Sequence, residues 1–254
     1  MTVHFVGAGP GAADLLTVRA VRLLETTPVV LYAGTYVDDE VLAHCRPDAE
    51  LIDTQGLDLD QIVAALIDAH RRGLDAVRLA SGDLSVYSAL TEQTRRLDTA
   101  GVPWDLTPGV PAYAAAAATL GVELTVPEVV QTVVLTRTQA RSTAMPDTEA
   151  LTRIAGLRAS LVLHLAITRT RTLAAELAET YGDDCPAAVV AFASRPDEVV
   201  LRGTLADIAD KVEAAGLRHT ALILVGTAVD RAGAHACGAD SHLYDPRRVR
   251  GGDV

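Results

Sequence analysis

The chain of 254 residues predicts an α/β protein built as two α/β domains, and three observations carry that reading. Short apolar runs rich in β-branched residues alternate with segments of helical period, the pattern of parallel strands joined by helices. The pattern changes after Val126-Pro127, where an apolar helix has ended at Gly121 and a second series of strands begins beyond a proline. With 49% hydrophobic residues the chain can bury one large core or two ordinary ones.

The first series predicts strands at 3–6, 29–32, 76–79 and 104–107, with helices at 14–25, 40–45, 59–72 and 88–99 between them. The third helix has the clearest signature. Ile62, Val63, Leu66 and Ile67 share one face, Asp58 is a capping residue, and Gly73 closes the helix. Asp14 is expected to cap the first helix. Pro108-Gly109 then turns the chain into an alanine-rich helix at 112–120. The second series predicts strands at 131–136, 161–165, 187–192, 199–203 and 221–225, with helices at 172–181 and 205–215. Residues 138–151 are polar and include Pro146, which reads as a loop. The expected division is 1–124, 125–231 and a tail, 232–254, whose Gly, Ala and Arg content suggests poor order.

Charge and cysteine content exclude several classes. A net charge of −11 and a single lysine, Lys211, disfavour a nucleic-acid backbone as partner. Cys45, Cys185 and Cys237 are far apart and odd in number, so neither a disulfide framework nor a metal site is expected, and a reducing cytoplasmic location fits. No apolar run approaches the length of a membrane span, and no targeting segment is evident, so a soluble, unprocessed protein is expected.

The first strand and turn, Val3-His4-Phe5-Val6-Gly7-Ala8-Gly9-Pro10-Gly11-Ala12, satisfies the G-x-G-x-x-A spacing of a dinucleotide site through Gly7, Gly9 and Ala12. Two details oppose that reading. Pro10 lacks the backbone N–H that a pyrophosphate would need, and the second strand ends at Ala33 without the acid that holds a ribose. A nicotinamide-dependent oxidoreductase therefore stands only as an alternative.

Four segments together resemble the tetrapyrrole (corrin and porphyrin) methylases. They are Val6-Gly7-Ala8-Gly9-Pro10-Gly11 with Asp14-Leu15-Leu16-Thr17, the loop Ser81-Gly82-Asp83-Leu84-Ser85-Val86-Tyr87-Ser88, the turn Thr107-Pro108-Gly109-Val110-Pro111-Ala112, and the strand Thr220-Ala221-Leu222-Ile223-Leu224-Val225-Gly226. Leu84 and Ser88 depart from the usual Pro and Gly of the second motif. Tyr32-Ala33-Gly34-Thr35, Gln131-Thr132-Val133-Val134-Leu135-Thr136-Arg137, Ser194-Arg195-Pro196-Asp197-Glu198 and Ser241-His242-Leu243-Tyr244-Asp245 resemble one subgroup, which acts on a contracted-ring precursor of cobalamin. The last of these motifs argues for more order in the tail than its composition does. Siblings with another acceptor carbon, a uroporphyrinogen methylase and a ribosomal RNA methylase of the same fold are the near alternatives.

The resemblance implies a two-domain fold with a cofactor cleft between the domains, S-adenosylmethionine as methyl donor, a tetrapyrrole as acceptor and a homodimeric state. It implies donor contacts at Pro10, Gly82, Asp83, Leu84, Val86, Tyr87, Pro111 and Ala112, and in the C-terminal half at Leu165, Ala191, Phe192, Thr220 and Ala221. Methyl transfer from a sulfonium asks chiefly for alignment, so a shaped pocket is expected in place of a catalytic triad or metal cluster. An acceptor bearing carboxylates calls for arginine, for which Arg137 and Arg141 are the first candidates and Arg78 and Arg195 the next. Asp83 is the acid singled out for the reaction, either bonding a pyrrole N–H or steadying the Gly82 turn. His4 and His164 read as satisfied core or pocket histidines.

Overall fold

The computed structural model describes residues 1–138 and 144–242. The chain divides into two compact units, 1–115 with 193–196, and 116–192 with the residues from Asp197 onward. Each has its own five-stranded sheet. The sequence pattern places the boundary at 124, nine residues later than the structure does.

In the first unit, β1 (Val3–Gly7), β2 (Val29–Tyr32), β3 (Glu50–Asp53), β4 (Ala76–Ala80) and β5 (Trp104–Thr107) form a sheet in the order β3-β2-β4-β1-β5. Every pairing is parallel. The helices α1 (Val18–Thr26), α2 (Asp39–Leu42), α3 (Leu59–Arg71), α4 (Leu90–Thr99) and α5 (Ala112–Leu120) alternate with the strands. Phe5, Leu31, Leu66 and Leu97 are fully buried in one cluster, and burying each such side chain contributes about 1.5–3 kcal/mol. The expected strands all form. β3 was missed because Glu50-Leu51-Ile52-Asp53 is a short edge strand with a mostly exposed, weakly apolar sequence.

In the first unit two helix starts move by two residues or more from expectation. Asp14 lies in a short 3-10 turn, Ala13–Leu15, and the cap of α1 is Thr17, whose side chain accepts from the Ala20 amide. A helix expected from residue 88 begins only at Leu90, because Tyr87 and Ala89 are left-handed, each with φ of 54°. The start of α3 is as expected: Asp58 accepts from the Gln61 amide while Gln61 accepts from the Asp58 amide, a reciprocal cap.

In the second unit, β6 (Val133–Arg137), β7 (Ser160–His164), β8 (Pro186–Ala191), β9 (Val199–Thr204) and β10 (Ala221–Val225) lie in the order β6-β7-β10-β8-β9. Only β6 and β7 are parallel; β10 runs antiparallel to both β7 and β8. This register brings the ends of β6, β7 and β8 and the start of β10 to one edge of the sheet. Helices α6 (Leu151–Ala155), α7 (Thr170–Tyr181), α8 (Ile208–Ala214) and α9 (Arg231–Cys237) complete the unit. α9 corrects the expectation of a poorly ordered tail from residue 232. Its cap is Asp230, whose carboxylate accepts from the Ala232 and Gly233 amides, a local signal that the Gly- and Ala-rich composition hides. Leu243, Tyr244 and Asp245 of the tail motif lie outside the described residues.

Candidate functional site

β4, β1 and β5 are neighbours, so the loops after them meet at the carboxyl edge of the first sheet, where open α/β sheets bind ligands. The meeting is backbone against backbone. A Cβ on Gly7 would stand 2.5 Å from the Gly109 nitrogen and 2.8 Å from the Gly82 carbonyl oxygen, and one on Gly109 would collide with that same oxygen. Gly82 differs from these two. It has room for a Cβ but sits at φ of 66°, so conformation requires its glycine. Gly9 and Gly82 exchange both backbone hydrogen bonds, at 3.1 and 2.7 Å, which fixes the second loop to the first.

Asp83 ties the second loop to the third. Its Oδ2 accepts from the Gly109 amide at 2.8 Å, and its Oδ1 accepts from the Ser85 amide at 2.9 Å and from the Ser85 hydroxyl. Partial burial pulls the carboxyl pKa upward, but the bonds from Ser85, Gly109 and Leu84 outweigh it and hold the group below the usual carboxylate range. Of the two roles open to Asp83, steadying the turn is the one these bonds describe. Pro111 and Ala112 face Gly82: the nearest atoms to a Cβ built there are the Ala112 nitrogen at 3.7 Å and the Pro111 Cα at 3.9 Å. Leu84 is only 6% exposed and joins the core, so it can offer a ligand its backbone alone, whereas Tyr87 is 46% exposed. Pro10 is buried in the first turn.

That turn is not built to cradle a pyrophosphate. The Ala8 amide donates to Ala80, the Gly9 amide to Gly82 and the Ala12 amide to the Ser194 hydroxyl, while Pro10 has no amide hydrogen. No α-helix begins at the turn either; α1 starts at Val18. Ser194 comes from Ala193–Pro196, the part of the β8–β9 connection that belongs to the first unit. In that segment Arg195 pairs with Asp38 at 3.0 Å, and its aliphatic stem fills the space that a side chain at Gly11 would take.

The candidates of the second unit gather at the common edge of its sheet. Ala191 and Ala221 are register partners, the Phe192 amide donates to the Thr220 carbonyl at 2.9 Å, and Leu165 follows β7 directly. Leu165, Phe192 and Thr220 all adopt left-handed conformations, with φ of 53°, 53° and 51°. Among the described residues eight non-glycine positions have positive φ, and with Tyr87 four of them are donor-contact candidates. Such strain collects at ligand sites. Leu165 is 67% exposed, while Ala191 is fully buried and turns its methyl into the core.

Arg137, at the end of β6, is in register with His164 at the same edge. It lines an open cavity of about 420 Å³ together with Arg169, Pro146, Leu173 and the acids Asp147, Glu149 and Glu176. Arg169 escaped the sequence reading, since it lies in the turn Ile167–Arg169 outside any motif. Arg141 lies outside the described residues. Arg78 is half-buried against α4 in the first unit, with its Nε donating to Gln93 and its Nη1 to the Leu79 carbonyl, so two of its donors are already taken up within the fold. His4 pairs with Asp105 on the neighbouring strand at 2.8 Å, as a satisfied histidine should. Burial lowers the pKa of His164 from its ordinary value, which favours the neutral ring. Among the described residues no group of three His, Cys, Asp or Glu could hold a metal ion, and no helix is long and apolar enough to cross a membrane.

These features describe an α/β protein whose candidate ligand contacts lie on loops and strand ends at the edges of its two sheets. Residues 2–209 match the model of the Tetrapyrrole (Corrin/Porphyrin) Methylases, and the chain belongs to that family. It is 56% identical over 250 residues to a precorrin-4 C(11)-methyltransferase of Rhodococcus erythropolis, covering 98% of this chain and 99% of the relative. A solved cobalt precorrin-4 methyltransferase superposes with a TM-score of 0.87 at 38% identity, over 90% of this chain and 96% of the other. A uroporphyrin-III C-methyltransferase of Thermus thermophilus, solved with S-adenosylhomocysteine, gives 0.76 at 30% identity over 90% of this chain and 99% of that one.

Proposed function

We propose that this chain is a methyltransferase that uses S-adenosylmethionine to methylate C11 of precorrin-4 in cobalamin formation. The full-length likeness to the Rhodococcus enzyme supports the acceptor, and favours precorrin-4 over its cobalt form, for which the solved relative is named at lower identity. One observation in the chain itself carries the donor assignment: the candidate contacts Gly82, Tyr87, Leu165, Phe192 and Thr220 are all left-handed, in backbone shapes that need a reason to persist.

When bound, the donor supplies a methyl group already activated on a sulfonium. The chain's own task is alignment. Gly82, Asp83 and Leu84 offer main-chain groups with Pro10, Val86, Tyr87, Pro111 and Ala112 around them, and Leu165, Ala191, Phe192, Thr220 and Ala221 supply the remaining donor contacts. Holding the reacting atoms at near-contact distance lowers the barrier by about 7–11 kcal/mol. Asp83 acts through the loop it locks, fixing Gly109 against Gly82. Arg137 grips a peripheral carboxylate of the acceptor. The enzyme works as a cytoplasmic homodimer in this reading.

Incubation with precorrin-4 and isotopically labelled donor, followed by mass and NMR analysis, tests the assignment: label on C11 is expected, and label elsewhere or none overturns it. Arg137→Ala should raise KM for the acceptor about tenfold, the worth of one charge-assisted hydrogen bond, with the S-adenosylhomocysteine Kd unchanged. Light scattering on a sizing column checks the dimer.

A further inference from the structure

Beneath the loop that follows β4 lies a polar chain that the reaction does not use. Gln93 of α4 is only 4% exposed. Its Oε1 accepts from Arg78 Nε at 3.3 Å, and its Nε2 donates to the Ala89 carbonyl at 3.1 Å. Arg78 Nη1 donates to the Leu79 carbonyl at 2.9 Å. These bonds run to an amide and a carbonyl, so no acid offsets the half-buried guanidinium through them, and desolvation lowers the Arg78 pKa to about 10. Such a group is costly to keep.

The chemistry of the two side chains gives it a use. A guanidinium can only donate, so it obliges the Gln93 amide to turn its oxygen toward β4 and its nitrogen toward Ala89. Ala89 sits just before α4 at φ 54° and ψ 30°, makes no side-chain cap, and follows the left-handed Tyr87 by two residues. Alanine resists this conformation, which glycine adopts without cost. Between the two strained residues the Ser88 hydroxyl donates to the Leu84 carbonyl at 2.6 Å. The strained segment is thus tied at its middle, through Ser88, to the loop and at its end, through Ala89, to the buried amide.

We propose that Arg78 and Gln93 are positioning residues for the methyl donor, with Arg78 setting the orientation of the Gln93 amide and Gln93 holding the segment Tyr87–Ala89, with its two left-handed residues, in its binding shape before the donor arrives. The proposal rests on the assignment of the loop from Gly82 to Ser88 to the donor. Preorganisation of this kind appears in affinity, because an unheld loop must be ordered on binding.

Gln93→Met removes both bonds, whereas Gln93→Glu keeps an acceptor for Arg78 and loses only the donation to Ala89. Both variants should weaken S-adenosylhomocysteine binding about three- to tenfold by calorimetry, the span that one hydrogen bond of ordinary net worth commands. In the unliganded protein, hydrogen exchange at amides 85–90 should speed up by a similar factor while that of β1 and β4 stays unchanged. Arg78→Lys, which still donates, should lose less than Arg78→Met. Unchanged exchange at 85–90 in Gln93→Glu, or an affinity loss matched by faster exchange throughout the sheet, overturns the proposal. Failure of the wild-type protein to bind S-adenosylhomocysteine would instead overturn the donor assignment, and exchange in the unliganded protein would still report on the Gln93 anchor.

Discussion

At Leu165 a large apolar side chain is both exposed and left-handed, two conditions that folding alone does not favour. Leu165→Gly should therefore stabilise the fold by about 1 kcal/mol, raising Tm by about 2–4 °C in a scanning experiment. The same change should weaken S-adenosylhomocysteine binding, since the exposed side chain offered to the donor is lost. Asp83 offers a test by acidity. Its pKa is depressed in the folded protein, so its contribution is complete above the unfolded value and is lost as pH falls through the lower folded one. The Tm difference between wild type and Asp83→Asn should be constant above about pH 5 and shrink below about pH 4. A difference that grows on acidification would contradict the bonding described for this carboxylate. None of the left-handed leucine, phenylalanine, threonine and tyrosine conformations was legible in the sequence, because nothing in the identity of those residues announces positive φ. The glycines were legible, yet their reasons were not: Gly7 and Gly109 are needed for space, Gly82 for conformation.

Strands with dense β-branched runs were legible at the scale of elements because their burial leaves little choice of residue. β3, short and at an edge, carries no such run, and α9 hides behind a composition that suggests a loose tail. The start of α4 was misjudged for a different reason. Residues 88 and 89 fit a helical period, but the loop's own demands take precedence over local propensity there. The contact of the loops after β1, β4 and β5 is the feature most exposed to mutation. Gly109→Ala would drive a methyl into the Gly82 carbonyl, and because backbone lies on both sides the loops must part. The expected result is a loss of several kcal/mol in a urea titration, or no folded protein, as overpacking into an unyielding site costs about 1–3 kcal/mol even where side chains can move. Gly56→Ala is the control: nothing stands within 4 Å of the new atom, and stability should change by less than about 0.5 kcal/mol.

For the whole molecule, the division into two α/β units was legible from the change of pattern after Val126-Pro127, but the return of four later residues to the first unit was not. Ser194 and Arg195 were noted as part of a subgroup motif, and their partners, the Ala12 amide, the flank of Gly11 and Asp38, lie more than 150 positions earlier. No local rule reaches across such a separation. The first unit consequently lacks autonomy as a stretch of gene. A polypeptide cut after Ala115 would retain every strand of the parallel sheet, yet it would leave a groove beside Gly11 and a carboxylate at Asp38 without its guanidinium. Dissecting this enzyme into separately expressed halves should give an N-terminal piece that regains native spectra only when the remainder of the chain is supplied in trans.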